Sequence, residues 1–366
     1  MHNKISNNVG FYLLLLFALT VTVYPAASYV IAAAVALIWI FDVLIFRDVE
    51  LIELPLFLPV IAFAIFSVIA LAAAVVLGRT FVLAYVGPLM SFSLIVPGFI
   101  MSGEKRKMIV WSLIAGVMLA AGFDLISWWN NTSGSAGPVY RPGQPVSFMV
   151  GLVFCILIAF YAEAQSLREK LFLGFITLPL AGAAALSFDR SIALVVAFVV
   201  VVIGVFKDRT ALIPLAVAFV ILFSGALGIN YYIERDFSLR DYGTFVASPA
   251  DVLDQDREVT DQAAFYGVGT APVREGQSTG QDKAFFFNLV EDSGPPSLIL
   301  FLWIVVVQAI QSLARTRKTI LPEVKTFHLG ILLVLGAVVI MNLYGMAFHF
   351  PSTILATALL LGMTEA

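Results

Sequence analysis

Charge is what this sequence has least of. Asp, Glu, Lys and Arg make up 12% of its 366 residues, where a soluble domain carries roughly 25%. So little charge excludes an ordinary water-soluble domain. The net charge of −3 offers no basic surface, so nucleic acid is not an expected partner. Cysteine is nearly missing too. Cys155 is alone and lies in an apolar run, which excludes a disulfide framework and a thiolate metal site. His2, His328 and His349 are far apart in the sequence and do not support a histidine metal centre. There is no internal repeat, low-complexity tract or P-loop. Gly267-Val268-Gly269 lacks the third glycine and the βαβ context of a dinucleotide site. It reads as a tight backbone turn close to a ligand or another segment.

Hydrocarbon is what is present. Apolar residues make up 61% of the chain and the mean hydropathy is +0.98. Apolar runs fall at about 10–24, 26–46, 54–77, 80–101, 108–129, 146–165, 170–187, 190–206, 210–230, 295–313, 327–347 and 350–363. At 1.5 Å per residue most can cross a hydrocarbon core of ~30 Å. The expected fold is an all-α polytopic membrane protein of about twelve transmembrane helices. It divides into helices 1–9 over 1–230, a large loop over 231–294, and helices 10–12 over 295–366.

Basic residues orient this frame, because Lys and Arg concentrate in cytoplasmic loops. With the N-terminus inside, the inner segments hold Lys4, Arg47, Lys105, Arg106, Lys107, Arg168, Lys170, Lys207, Arg209, Arg315, Arg317, Lys318 and Lys325. The short outer loops hold only Arg79, Arg141 and Arg190. Thirteen against three favours both termini inside and the 231–294 loop outside. That loop is the one long polar stretch, rich in Asp and Glu, and is where the chemistry is expected.

The outer arginines divide by context. Arg79 fits a side chain that snorkels to the interface. Arg141, in the turn-rich Tyr140-Arg141-Pro142-Gly143-Gln144-Pro145, is an interface anchor or a site residue. Arg190 lies in the tight connection Leu186-Ser187-Phe188-Asp189-Arg190-Ser191. A guanidinium at that depth can clamp a lipid phosphate with bidentate hydrogen bonds. Glu291 and Asp292 are either catalytic carboxylates or acids favoured by a helix start.

Four patches together resemble the O-antigen ligase and polymerase superfamily. Leu186-Ser187-Phe188-Asp189-Arg190-Ser191-Ile192 is similar to its Ser-Arg turn leading into an apolar helix. Phe265-Tyr266-Gly267-Val268-Gly269-Thr270 is similar to its Gly-Val-Gly segment. The stretch Asn288-Leu289-Val290-Glu291-Asp292-Ser293-Gly294 resembles the acid and glycine that close its large loop, and Arg141-Pro142-Gly143-Gln144-Pro145 its Gly/Pro-rich turn. The family commonly carries a His-Asn pair about nine residues before the closing acid. Here those positions are Asp282-Lys283 or Lys283-Ala284, and the loop has no histidine.

The resemblance implies a bacterial inner-membrane glycosyltransferase. It would move a glycan from undecaprenyl diphosphate to a sugar hydroxyl on the periplasmic face, with no cofactor and no metal. Implied partners are the lipid-linked oligosaccharide, the glycan acceptor, membrane lipids and a chain-length regulator. The expected catalytic set is Arg190, Arg257, Lys283, Glu291 and Asp292. Arg141, Asp189, Arg240, Gly267, Gly269, Arg274 and His349 are expected to bind substrate. The base stays open among Glu291, Asp292, Asp282, Asp189 and His349. Polymerisation of a surface polysaccharide is the leading expectation. A ligase acting on lipid A-core comes next, and a lipid-linked sugar flippase or a non-catalytic scaffold are the readings of another class.

Overall fold

The computed structural model describes residues 2–46, 54–76, 85–100, 102–132, 144–186, 190–206, 285–319, 321–345 and 347–365. Among these residues there are helices and no strands. In chain order they are α1 (His2–Val23), α2 (Pro25–Phe46), α3 (Phe57–Val76), α4 (Val86–Met90), α5 (Phe92–Ile95), α6 (Gly103–Thr132), α7 (Gln144–Glu163), α8 (Leu167–Leu186), α9 (Arg190–Phe206), α10 (Phe285–Ser293), α11 (Pro295–Lys318), α12 (Pro322–Tyr344) and α13 (Pro351–Glu365). Short 3-10 turns cover Val96–Phe99 and Ala347–His349. Among the described residues, five helices are long and apolar enough to cross a membrane: those at Pro25–Leu44, Gly103–Ile126, Val146–Glu163, Pro295–Lys318 and Pro322–Tyr344.

Local chemistry sets the helix ends. Tyr24 alone separates α1 from α2, and Pro25, which has no N–H to leave unpaired, opens the second helix. Ser166 and Glu169 form a reciprocal capping box at the start of α8. The Glu169 N–H donates to Ser166 Oγ at 3.1 Å, and the Ser166 N–H to Glu169 Oε2 at 3.4 Å. Pro295 and Pro296 start α11, while Arg315, Arg317 and Lys318 fill its last turn, where the helix dipole favours cations.

The run expected as one span over 80–101 differs from expectation in its described part. Residues 86–99 form α4, α5 and a 3-10 turn in succession. Pro97 cannot donate to the Ser93 carbonyl, so the α pattern gives way to a tighter turn there.

The helices pack around α12 and α13. α12 lies against α7, α9 and α11, and α13 against α4, α5 and the Val96–Phe99 turn. Every residue of α13 from Ser352 to Thr364 is buried, as expected of a helix that is apolar on all sides. Leu37, Phe41 and Leu44 on α2, Phe175 on α8, and Ile299, Val306 and Ile310 on α11 are exposed. Apolar faces of that extent suit lipid rather than water as solvent.

The two ends of the bundle differ in chemistry. Lys107 at the start of α6 pairs with Glu323 at the start of α12, Nζ to Oε1 2.6 Å. The Lys105 ammonium lies 4.8 Å from the centre of the Phe11 ring on α1. The basic last turn of α11 connects directly to α12 at this same end. α12 then runs roughly 34 Å to the opposite end, where α9 and α10 begin.

Candidate functional site

At that opposite end, three segments from distant parts of the sequence converge on His349. The first is α10. Its leading residue, Phe285, donates its N–H to the Gly345 carbonyl just beyond α12, at 3.0 Å. One turn later, Asn288 Nδ2 lies 3.1 Å from His349 Nε2. With its NH2 turned to the ring, Asn288 donates to Nε2, the arrangement that goes with a ring proton on Nδ1. Asn288 is buried and His349 half-buried. The second segment arrives before α4, where the Tyr85 hydroxyl donates to the His349 carbonyl at 2.9 Å. The third is the end of α12. The Phe348 N–H donates to Asn342 Oδ1 at 2.9 Å, and Asn342 Nδ2 donates to the Val338 carbonyl at 2.8 Å. Asn342 is fully buried, so these bonds hold the Ala347–His349 turn against the helix it follows.

Aromatic packing makes the floor. The Phe285 ring meets His349 edge-on, centroids 6.0 Å apart at 89°. It also touches Phe348 at 5.5 Å and Phe301 at 6.1 Å, and Phe301 touches Phe348 at 5.6 Å. Edge-to-face pairs of this kind add about 0.5–1.5 kcal/mol each beyond their buried area. They fix the imidazole plane relative to α10 and α11.

The joint between α10 and α11 is a sharp one. Gly294 sits at φ 79°, ψ 167°, a region open to glycine and costly for other residues. Ser297 Oγ donates to the Gly294 carbonyl at 2.6 Å and to the Leu289 carbonyl at 3.2 Å, which locks the bend. The bend leaves α10 in contact with Gly345 and His349.

The start of α9 reaches the same place. A Cβ added at Gly345 would lie 3.4 Å from Ser191 Oγ and 3.4 Å from Phe148 Cε1. Ser191 is the second residue of α9, so Arg190, its first, begins the helix beside Gly345. Glu291 and Asp292 occupy the last turn of α10, three and four residues after Asn288.

Of the residues expected to form the site, Arg190, Glu291, Asp292 and His349 are therefore brought to one end of the bundle. Arg141, Asp189, Arg240, Arg257, Gly267, Gly269, Arg274 and Lys283 lie outside the described residues, as does the rest of the 231–284 stretch. Tyr85, Asn288 and Asn342 join the site without having been singled out. Asn288 had a signal in the sequence, as the one polar residue directly following Phe285-Phe286-Phe287. Tyr85 and Asn342 had none, because each is set by contact with a segment far away in the chain. Among the described residues no group of three or more His, Cys, Asp or Glu is placed to hold a metal ion.

The arrangement has a half-buried imidazole with a proton-accepting nitrogen, an amide beside it and an aromatic floor. The first residue of α9 is an arginine. Such a site can hold a hydroxyl group by its proton. In comparisons with known proteins, no family model matches the chain and no curated protein matches it.

Proposed function

We propose that this protein is a membrane glycosyltransferase of the O-antigen ligase and polymerase type, which polymerises a surface polysaccharide from undecaprenyl-diphosphate-linked repeats. The observation that carries the reading is the meeting of Asn288 and His349 at the end of the bundle where Arg190 opens α9. The loop histidine of the family is missing from this sequence. A histidine-asparagine pair is nonetheless assembled here, from two segments 61 residues apart.

Each group has a role in the proposed step. The acceptor hydroxyl takes the place of the Asn288 amide as donor to His349 Nε2. The acceptor oxygen forms the new bond to the anomeric carbon while the bond from that carbon to the diphosphate oxygen breaks. The electron pair leaves with the diphosphate, and the acceptor proton passes to Nε2. Arg190 holds the diphosphate charge as it develops. Asn288 orients the ring before the acceptor arrives. The leaving group is already anionic, so a cation serves it better than an acid.

Glycan profiling tests this in a deletion strain complemented with wild type, Arg190→Ala, His349→Ala or Asn288→Ala. The expected outcome is loss of long polysaccharide for Arg190→Ala and His349→Ala, with single repeats left on the carrier or core. For Asn288→Ala the expected loss is smaller than the roughly 10²–10⁴-fold that a general base contributes. Full-length polymer stranded on the carrier would identify a ligase. Normal profiles for both Arg190→Ala and His349→Ala would eliminate the assignment and leave a transporter or scaffold.

A further inference from the structure

The basic end of the bundle holds a second site. A pocket of about 490 Å³ opens between the start of α6, the end of α7, the first turns of α8 and the start of α12. Gly103, Glu163 and Pro322 line it, and these are the terminal residues of three of the five apolar spans. The pocket therefore sits among helix ends at the charged end of the bundle. Its inner wall is apolar and partly aromatic, with Val110, Trp111, Phe160, Phe172, Leu173 and Phe327. On its outer side Leu167, Leu171 and Phe175 of α8 are exposed, so the pocket borders a lipid-facing surface.

The charges in the lining are specific. Lys107 is held by Glu323 at the rim. Glu169 receives the Gln165 and Ser166 N–H groups at Oε2. Arg106 has no carboxylate within 4 Å among the described residues. Its guanidinium rests 5.1 Å from the centre of the Phe327 ring, and its Nε is buried without a hydrogen-bond partner. A guanidinium held by a ring face, with a buried donor unmet, is prepared for an oxygen anion. The lining as a whole has two cations, Arg106 and Lys107, and three carboxylates, Glu163, Glu169 and Glu323. That balance opposes a purely anionic ligand. It suits one that carries an anion and a hydrogen-bonding cation a few ångströms apart.

We propose that this pocket binds the headgroup of a zwitterionic aminophospholipid. The phosphate lies on Arg106, the primary ammonium lies toward the Glu169 carboxylate, and the upper acyl chain runs over Trp111, Phe160 and Phe172. Phosphatidylethanolamine is the simplest lipid of this chemistry. Phosphatidylcholine has the phosphate but no N–H to donate, and phosphatidylglycerol has the phosphate but no cation.

Native mass spectrometry of the full chain released from detergent tests this, with each of the three lipids or inorganic phosphate added. The variants are Arg106→Gln, Glu169→Gln and, as a control outside the lining, Lys105→Gln. Glutamine keeps the capping box at 169, so that variant removes charge without removing the helix cap. Phosphatidylethanolamine is expected to be retained over the other two lipids by about tenfold, the scale of one charge-assisted hydrogen bond. Arg106→Gln should abolish that preference, Glu169→Gln should narrow it toward phosphatidylglycerol, and Lys105→Gln should leave it intact. Equal retention of the three lipids by the wild type would overturn the proposal. So would an unchanged preference in both Arg106→Gln and Glu169→Gln, stronger retention of phosphatidylglycerol, or displacement of the lipid by inorganic phosphate alone.

Discussion

His349 depends on a residue that touches no substrate in the proposed step. Asn342 gives its oxygen to the Phe348 N–H and is fully buried. Leucine at this position is close in volume and has no acceptor. Asn342→Leu would leave that backbone N–H unpaired in an apolar interior, at a cost of about 1–3 kcal/mol. The expected outcome is a lower unfolding midpoint together with shortened polysaccharide, since the turn carrying His349 loses its tie to α12. A variant of unchanged midpoint and activity would show that the turn is held by its aromatic contacts alone.

Glu365 is a second residue with a measurable signature. It lies beyond the apolar run 350–363, at the basic end. Burial pushes its carboxyl up from 4.5 to about 7, and the neighbouring Arg315 charge pulls it down only in part. The folded protein then holds this proton more tightly than the unfolded chain does. Its contribution to stability is complete below about pH 4.5 and is lost as the pH rises through 7. Across that window the thermal unfolding midpoint of the wild type should drop relative to that of Glu365→Gln as the pH rises, and an identical pH slope in the two proteins would refute the assignment.

At the scale of elements, close approach decides the pairing of α1 with α6. A Cβ added at Gly116 would lie 2.3 Å from the Leu19 carbonyl oxygen and 3.1 Å from that of Ala18. Both are backbone atoms and cannot rotate away. Small residues let helices in lipid approach this closely, where van der Waals contact replaces the hydrophobic effect as the driving force. Gly116→Ala should therefore destabilise the protein by about 1–3 kcal/mol, the usual cost of overpacking. Gly122 is on the same helix and has nothing within 4 Å of an added Cβ. Gly122→Ala should be neutral or stabilising by up to ~1 kcal/mol through helix propensity. Measuring both by denaturant unfolding separates packing from propensity. Equal effects at the two positions would mean that α1 and α6 are not in contact through Gly116.

At the scale of the whole molecule, the two ends divide the chemistry. One end gathers Lys105, Arg106, Lys107, Arg315, Arg317 and Lys318 with the lipid pocket. The other gathers Asn288, His349 and the start of α9. α12 spans both, beginning beside Lys107 and ending at Gly345. α13 is enclosed over its full apolar length, so the centre of the bundle is closed only when this helix is in place.

Composition alone determined that this is a helical membrane protein, because a chain with 12% charge and long apolar runs has no other way to satisfy its backbone. Several helix ends follow local chemistry that the sequence carries, at Pro25, Pro295, Pro322 and the Ser166 and Glu169 cap, although the apolar runs alone place the starts of α6, α8 and α12 a few residues late. The sequence could not determine that 86–99 would break into short pieces. It could not rank α13 as the most enclosed helix, because hydropathy does not distinguish a lipid-facing leucine from a core one. The meeting of His349 with Asn288, of Tyr85 with the His349 carbonyl, and of Arg106 with Phe327 belongs to tertiary structure alone. Each joins segments tens to hundreds of residues apart, and no periodicity in a single sequence encodes which distant helix a side chain will face.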